Sequence, residues 1–131
     1  MSAVQTFLYD QLVNDAALTA LVGANIFDAL PSGDAPDLSV LIGAEIVIDA
    51  SDKTANARLH QVEIDLMSTA AGFSNLKDVA AAVRQALERA SGPAGDGIVT
   101  RIRFKRAQSS RETSEGMRRI RLRFDLFFDG Y

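Results

Sequence analysis

The sequence predicts an α+β domain in which helices pack on one face of a largely antiparallel sheet of four strands, or slightly more. Two observations favour this class. Three segments place apolar residues at helical spacing, and four others alternate apolar and polar residues with the period of a β-strand. Their order along the chain is α-α-β-β-α-β-β, so consecutive strands are expected to pair as hairpins.

Length and composition indicate one domain. The chain has 131 residues, of which 47% are hydrophobic and 24% charged, and these values are typical of an ordinary globular protein. A chain of this length buries roughly two-thirds of its unfolded surface. No repeat and no linker divides it, so residues 1–131 are expected to fold as a single domain.

Composition also excludes several kinds of protein. The chain contains no Cys, which rules out disulfides and thiolate chemistry. Its N-terminus lacks the basic and apolar regions of a secretory signal, so synthesis in the cytoplasm is expected. The longest apolar run, LSVLIGAEIVI, is interrupted by Glu45 and is shorter than the ~20 residues that a membrane helix needs. No membrane partner is therefore expected.

The N-terminal part of the chain is predicted to contain two helices. The first spans residues 3–13, where four apolar residues recur at helical spacing: Val4, Phe7, Leu8 and Leu12. The second begins at a cap formed by Asn14 or Asp15 and ends at Gly23, which tolerates the left-handed backbone of many helix ends. A loop rich in Pro and Gly follows, with room for a short strand at residues 26–27.

Residues 39–49 and 59–67 are predicted to form the first hairpin. The period of two assigns one face of the first strand to the core: Val40, Ile42, Ala44, Ile46 and Ile48. The core face of the second strand is Val62, Ile64 and Leu66. The opposite, outward face of this hairpin then carries four acidic residues: Glu45, Asp49, Glu63 and Asp65.

A third helix and a second hairpin complete the chain. The helix is predicted to begin near Asn75, with Asp78 three residues later, and to stop at the Gly92–Pro93 pair. The segment GPAGDG resembles a phosphate loop only loosely, and a strand follows it, so it is interpreted as a turn. Residues 98–105 and 119–128 alternate as strands. The polar connection at residues 107–116 is too long for a tight turn. A long polar loop in a compact domain is commonly a functional one, and its candidate functional residues are Ser109, Ser110, Arg111 and Glu112.

Charge is distributed unevenly along the chain. Nine of its 14 Lys and Arg residues fall between positions 101 and 123, although the net charge is −3. The alternation places six cations on one face of the second hairpin: Arg101, Arg103, Lys105, Arg119, Arg121 and Arg123. Three interpretations remain open: cross-strand ion pairs on a solvated face, phosphate contacts in a nucleic-acid-binding or regulatory module, and a head-to-tail oligomer. The third pairs this basic half with the acidic half of another copy.

Residue types that carry catalysis or bind metals are poorly represented. His60 and Glu63 lie on opposite faces of one strand, so they are not expected to form a dyad or a metal pair. Asp28, Asp34 and Asp37 lack the spacing of a calcium loop and are interpreted as turn residues. No nucleophile with a nearby base appears. Catalysis, a cofactor and a metal site are therefore not expected.

Two long stretches resemble a family of small tail proteins from long-tailed phages and gene transfer agents. In the first, residues 12–43, the similar positions are Leu18, Leu21, Val22, Gly23, Ile26, Phe27, Asp28, Pro31, Pro36, Ile42 and Gly43. In the second, residues 60–87, they are Val62, Ile64, Ser68, Gly72, Leu76, Val83 and Leu87. These proteins are tail terminators, also called tail completion or head-tail joining proteins.

The resemblance implies a structural protein of a virion or gene transfer agent tail, made in the bacterial cytoplasm. Such a subunit would form a hexameric ring on the last ring of the tail tube protein, stop tail growth and present a surface to the head-tail connector protein. Under this hypothesis the arginines of the basic face pair with Glu45, Glu63 and Asp65 across subunit boundaries. Residues 107–116 would contact the tube or connector ring, and DNA in the lumen would be a weak, non-specific contact.

Overall fold

The computed structural model describes residues 2–29, 37–49, 57–69, 73–112 and 117–130. Within these residues there are three helices: α1 (Ala3–Val13), α2 (Ala16–Val22) and α3 (Ser74–Glu88). The strands are β1 (Ile26–Phe27), β2 (Leu38–Asp49), β3 (Ala57–Ser68), β4 (Gly92–Ala94), β5 (Gly97–Glu112) and β6 (Met117–Asp129). Asp34, Gly72 and the tips of both predicted hairpins lie outside the described residues.

The sheet has six strands, where four or slightly more were predicted, and the predicted element order is incomplete. Its six strands lie in the order β1-β2-β3-β6-β5-β4 and curl into a half-barrel. Strand β1 runs parallel to β2, and the other neighbours are antiparallel. The additional strand β4 occupies part of the GPAGDG segment, which was interpreted as a turn. Strands of two or three residues are too short to show a periodic pattern, which is why β4 was missed.

The predicted loop at residues 107–116 is mostly strand. Strand β5 continues to Glu112 and β6 starts at Met117, with Arg111 opposite Arg118. Residues 107–111 of β5 are all exposed, and Ser109 and Ser110 alternate across the sheet. A polar strand without a buried face has the same composition as a loop.

The helices bury one face of the sheet. Helix α3 contributes Leu76, Val79, Ala82, Val83 and Leu87, and α1 contributes Val4, Phe7, Leu8 and Leu12. They pack on residues from β2, β3, β5 and β6, among which Val62, Ile64, Leu122, Phe124 and Leu126 are almost fully buried. The centre of this core is therefore the helix-covered side of β3 and β6.

The ends of the helices match the predictions in part. Asp15 caps α2 by accepting a hydrogen bond from the Leu18 backbone, and Gly23 ends that helix with a φ of 60°. Helix α1 has a capping box formed by Ser2 and Gln5, which was not predicted. The predicted cap at Asn75 is wrong: α3 begins at Ser74 after Phe73, and the Asn75 amide donates to the Ser68 hydroxyl instead.

A β-bulge in β2 reverses the predicted faces of the second half of that strand. The pairing with β3 changes register between Ile42 and Glu45, so one extra residue lies on the β2 side. A shift of one residue moves each following side chain to the opposite face. Ile46 and Ile48, predicted to be in the core, are therefore exposed, and Glu45 lies on the helix side opposite Val62.

Two further bulges shape β5. The register with β6 changes between Val99 and Arg101 and again between Phe104 and Arg106. As a result Val99 is fully buried, whereas Ile98, which the alternation assigned to the core, is exposed. Arg101 and Arg103 keep their predicted face.

Gly97 lies where β5 meets the end of β6, and it is expected to tolerate no side chain. A Cβ added there would lie 2.5 Å from the Asp129 carbonyl oxygen and 2.5 Å from Cζ of Phe128. Gly97→Ala should therefore lower the free energy of unfolding by about 1–3 kcal/mol, measured by urea denaturation. Gly43→Ala is the matched control, because its nearest contact would be a carbonyl at 3.2 Å and its expected loss is smaller. Equal stability of the two variants would contradict this packing.

Candidate functional site: the charged outer face and open edges of the sheet

The face of the sheet opposite the helices, here called the outer face, carries most of the charged residues singled out in the sequence. Strands β3, β6 and β5 align these residues in rows that run across the sheet. Each row contains one residue from each strand, paired in register: Asp65, Arg121 and Gln108; Glu63, Arg123 and Arg106; Gln61, Asp125 and Arg103. Side chains directly opposite each other in an antiparallel pair are neighbours. The alternation of β3 and β6 therefore brings acidic and basic side chains into contact.

Arg121 and Arg123 pair with acidic residues of the same chain. The Arg121 Nε and Nη2 atoms donate to the two carboxylate oxygens of Asp65, at 2.8 and 3.1 Å. Arg121 Nε also lies 3.3 Å from Glu63 Oε2, and Arg123 Nη2 donates to Glu63 Oε1 at 2.8 Å. The Asp65 side chain is only 9% exposed, whereas that of Arg121 is 41% exposed. The carboxylate thus depends on the guanidinium for its hydrogen bonds more than the guanidinium depends on it.

Glu45 does not share the outer face with Glu63 and Asp65, and that prediction is wrong. Because of the bulge, its side chain lies on the helix side, where Oε1 is 3.6 Å from His60 Nδ1 and Oε2 accepts a hydrogen bond from the Ser2 hydroxyl at 3.4 Å. His60 is buried and packs edge-on against Phe128. Glu45 therefore connects the start of α1 to the sheet.

The cations of β5 are arranged differently from those of β6. Lys105 lies at a bulge with its Nζ 3.7 Å from Asp125 Oδ2. Within the described residues, the structure shows no ion pair for Arg101, Arg103, Arg106 or Arg111, and all four are exposed. Arg106 was not predicted to lie on the outer face, because a simple alternation along β5 places it on the opposite face. Only the bulge between Phe104 and Arg106 would have indicated this position, and no residue type in the segment 105–108 reveals that bulge.

The remaining predicted site residues lie on the outer face or near the end of the β5–β6 hairpin. Arg119 lies beside Met67 on the outer face, with its Nη2 3.9 Å from the sulfur. Ser109, Ser110 and Arg111 are exposed near the end of the β5–β6 hairpin, and Glu112 is the last residue of β5. Thus the structure brings Arg121, Arg123, Glu63 and Asp65 together, and it places Glu45 apart from them. A role for any of these residues at a subunit boundary stays a prediction.

Two strands of the sheet have long open edges. Strand β4 pairs with β5 only at Gly97–Val99, and β1 pairs with β2 only at Val40–Leu41. In the described part of the chain, the rest of β5 and β2 therefore has no neighbouring strand on one side. The open part of β2 carries three consecutive exposed aliphatic residues, Ile46, Val47 and Ile48, which are 51%, 49% and 42% exposed. Open edges with exposed apolar side chains are sites where another strand pairs.

The described residues contain no cluster of side chains suited to metal binding. No group of three or more His, Asp or Glu side chains among them could hold a metal ion. A surface groove of 440 Å³ between α1 and β4 is lined by Phe7, Asp10 and Pro93, among others, and Asp10 is its only ionisable lining residue. None of the helices among the described residues is both long and apolar enough to cross a membrane.

The Arg121–Asp65 pair is expected to be strongly coupled, because removing Arg121 leaves a largely buried carboxylate without its hydrogen bonds. A double-mutant cycle with Arg121→Ala and Asp65→Ala should give a coupling free energy of about 1–3 kcal/mol in urea denaturation. The exposed Arg84–Glu88 pair of α3, with a side-chain distance of 3.1 Å, is the matched control and should give about 0.3–0.5 kcal/mol. A coupling at Arg121 no larger than that of the control would contradict the structure of the outer face.

Comparisons with known proteins identify the family. The family described as "Tail completion protein gp17" matches residues 6–129, which is nearly the whole chain. A chain in the solved structure "Virion of native gene transfer agent (GTA) particle" is 40% identical and superimposes with a TM-score of 0.90, covering 97% of this chain and 95% of that chain. The comparison with curated proteins finds no match. These findings confirm the resemblance seen in the sequence, and the chain belongs to the tail completion protein family, whose members are structural proteins of phage tails rather than enzymes.

Proposed function

We propose that this protein forms a hexameric ring on the last ring of the tail tube, ends tail polymerisation and provides the surface that joins the tail to the head connector. The observation that carries the proposal is the match to a chain of an assembled gene transfer agent virion over 97% of this sequence. Synthesis in the bacterial cytoplasm and later incorporation into the particle are part of the same proposal.

The shape of the sheet supports a ring. Copies in a closed ring contact one another head to tail, so each copy must present two different surfaces that recognise each other. This chain has two unlike edges: the open part of β2 carries exposed aliphatic residues, and the open part of β5 carries Arg101, Arg103 and Arg106. The pairs of Arg121 and Arg123 with Glu63 and Asp65 would then hold the sheet between these edges in a fixed form.

The end of the β5–β6 hairpin is the surface that we assign to the neighbouring ring of tube or connector protein. Ser109 and Ser110 face opposite sides of the sheet there, and both are exposed together with Arg111. A strand whose side chains are exposed on both faces is available to contact a partner without disturbing the core. Glu112, the last residue of β5, belongs to the same surface by its position.

A second candidate function is a monomeric nucleic-acid-binding or regulatory module. It rests on the exposed arginines of β5, which have no acidic partner among the described residues. It predicts that the protein binds short duplex DNA with an affinity that falls steeply with salt, and that Arg103→Glu with Arg106→Glu removes this binding. Under the tail-capping proposal, DNA in the lumen is only a weak, non-specific contact, and these substitutions change assembly rather than DNA affinity.

Loss of the protein is expected to leave tail polymerisation without a defined end. In cells that make the particle, removal of this protein should yield tails of broad and excessive length that carry no heads, measured by negative-stain electron microscopy. Supplying the wild-type protein should restore one length and head attachment. Removal of a head protein is the control, since it should leave headless tails of normal length. Tails of normal length in the absence of this protein would overturn the proposal.

A further inference from the structure

We propose that the ring is closed by strand pairing: the open edge of β2 in one copy adds to the open edge of β5 in the next, so that one sheet continues around the ring. This inference rests on the proposed ring function and specifies its subunit contact. The partner is a second copy of this chain, and the paired segments are residues 42–48 and 101–107.

The two open segments lie at the same level of the sheet. One row across the strands contains Ile42, Ile64, Leu122 and Ala107, and another contains Ile48, Leu59, Phe127 and Arg101. Residues 42–48 and 101–107 therefore span the same rows at opposite edges. Among the described residues, β1 pairs with β2 only at Val40–Leu41, which precede the open segment 42–48. Likewise β4 pairs with β5 only at Gly97–Val99, which precede the open segment 101–107. Within the described ranges, each edge is therefore open where the other is open.

The strand directions also fit. Strands β2, β3, β6 and β5 are antiparallel neighbours in turn, so β2 and β5 of one copy run in opposite directions. When copies are related by rotation about an axis roughly along the strands, β5 of one copy meets β2 of the next in the antiparallel sense. The alternation of directions then continues across the subunit boundary, and the free backbone groups of both edges gain hydrogen-bond partners.

The side chains distinguish this contact from its alternatives. Open edges of monomeric proteins are usually protected by charge, by Pro or by a covering segment, but β2 has Ile46, Val47 and Ile48 exposed in its window. The β5 window carries Arg101, Arg103 and Arg106. Two β5 edges repel each other, whereas the aliphatic stems of arginines can cover isoleucines while their charged ends stay in water. The apolar β2 edge is therefore matched to the basic β5 edge.

Disulfide cross-linking tests the pairing directly, because the chain contains no Cys. Ile46 and Arg103 belong to the same level, since both lie in the row through Gln61 and Asp125. The double variant Ile46→Cys with Arg103→Cys should form a ladder of up to six cross-linked copies when oxidised in isolated capped tails. Each single variant should stay monomeric on the same gel. Dimers of Ile46→Cys alone would mean that two β2 edges pair, and absence of the ladder from capped tails would likewise overturn the proposal.

Opposite charges at Ile46 provide a second test. Ile46→Arg should reduce the fraction of capped tails at least tenfold, because it faces Arg103 of the next copy, whereas Ile46→Glu should leave that fraction close to wild type. Ile46 is 51% exposed, so both variants should unfold at the wild-type urea concentration. Equal capping by the two variants would overturn the edge pairing. If the wild type caps tails but these results fail, the proposed function stands alone; if its removal leaves tail length unchanged, both proposals fall.

Discussion

The pairing of β3 with β6 is the interaction on which the rest of the structure depends. The two strands run together for twelve residue pairs, from Ala57 opposite Asp129 to Ser68 opposite Arg118, without a register shift. On the helix side this ladder aligns Val62 with Phe124 and Ile64 with Leu122, all nearly fully buried. On the outer face it aligns Glu63 with Arg123 and Asp65 with Arg121. One register thus satisfies both the core and the ion pairs, and a slip by one residue would bury the charges.

The irregular features lie in the strands that flank this ladder. Strand β2 has one bulge and β5 has two, and each bulge exchanges the faces of the residues beyond it. These exchanges expose Ile46 and Ile48 at one edge, place Arg106 on the outer face at the other, and bring Glu45 beside His60 and Ser2. The regular centre of the sheet therefore provides stability, while the bulged strands create the two unlike edges that a head-to-tail contact requires.

The sequence was sufficient to predict the α+β class, the three helices and the four long strands, because their buried faces follow clear periods. It also predicted the acidic and basic sides of β3 and β6, where the alternation is unbroken. It failed at Ile46, Ile48, Glu45 and Ile98, since a bulge changes the face without changing the residue types that signal a strand. It failed at β4 and at residues 107–112 for other reasons: β4 is too short to show a period, and the end of β5 has no buried side. The exposed edges, which carry the proposed subunit contact, depend on these unpredicted features.

We propose that this chain acts as an oligomer that closes the end of a tail tube. This role is best tested by the sedimentation mass of the protein bound to short preassembled tail tubes, at low and high salt, with and without short duplex DNA. A ring that caps the tube should add six copies at the capped end, and DNA should not change that number. A protein that stays monomeric beside the tubes and changes its mass only when DNA is added would instead be a nucleic-acid-binding module and not a tail cap.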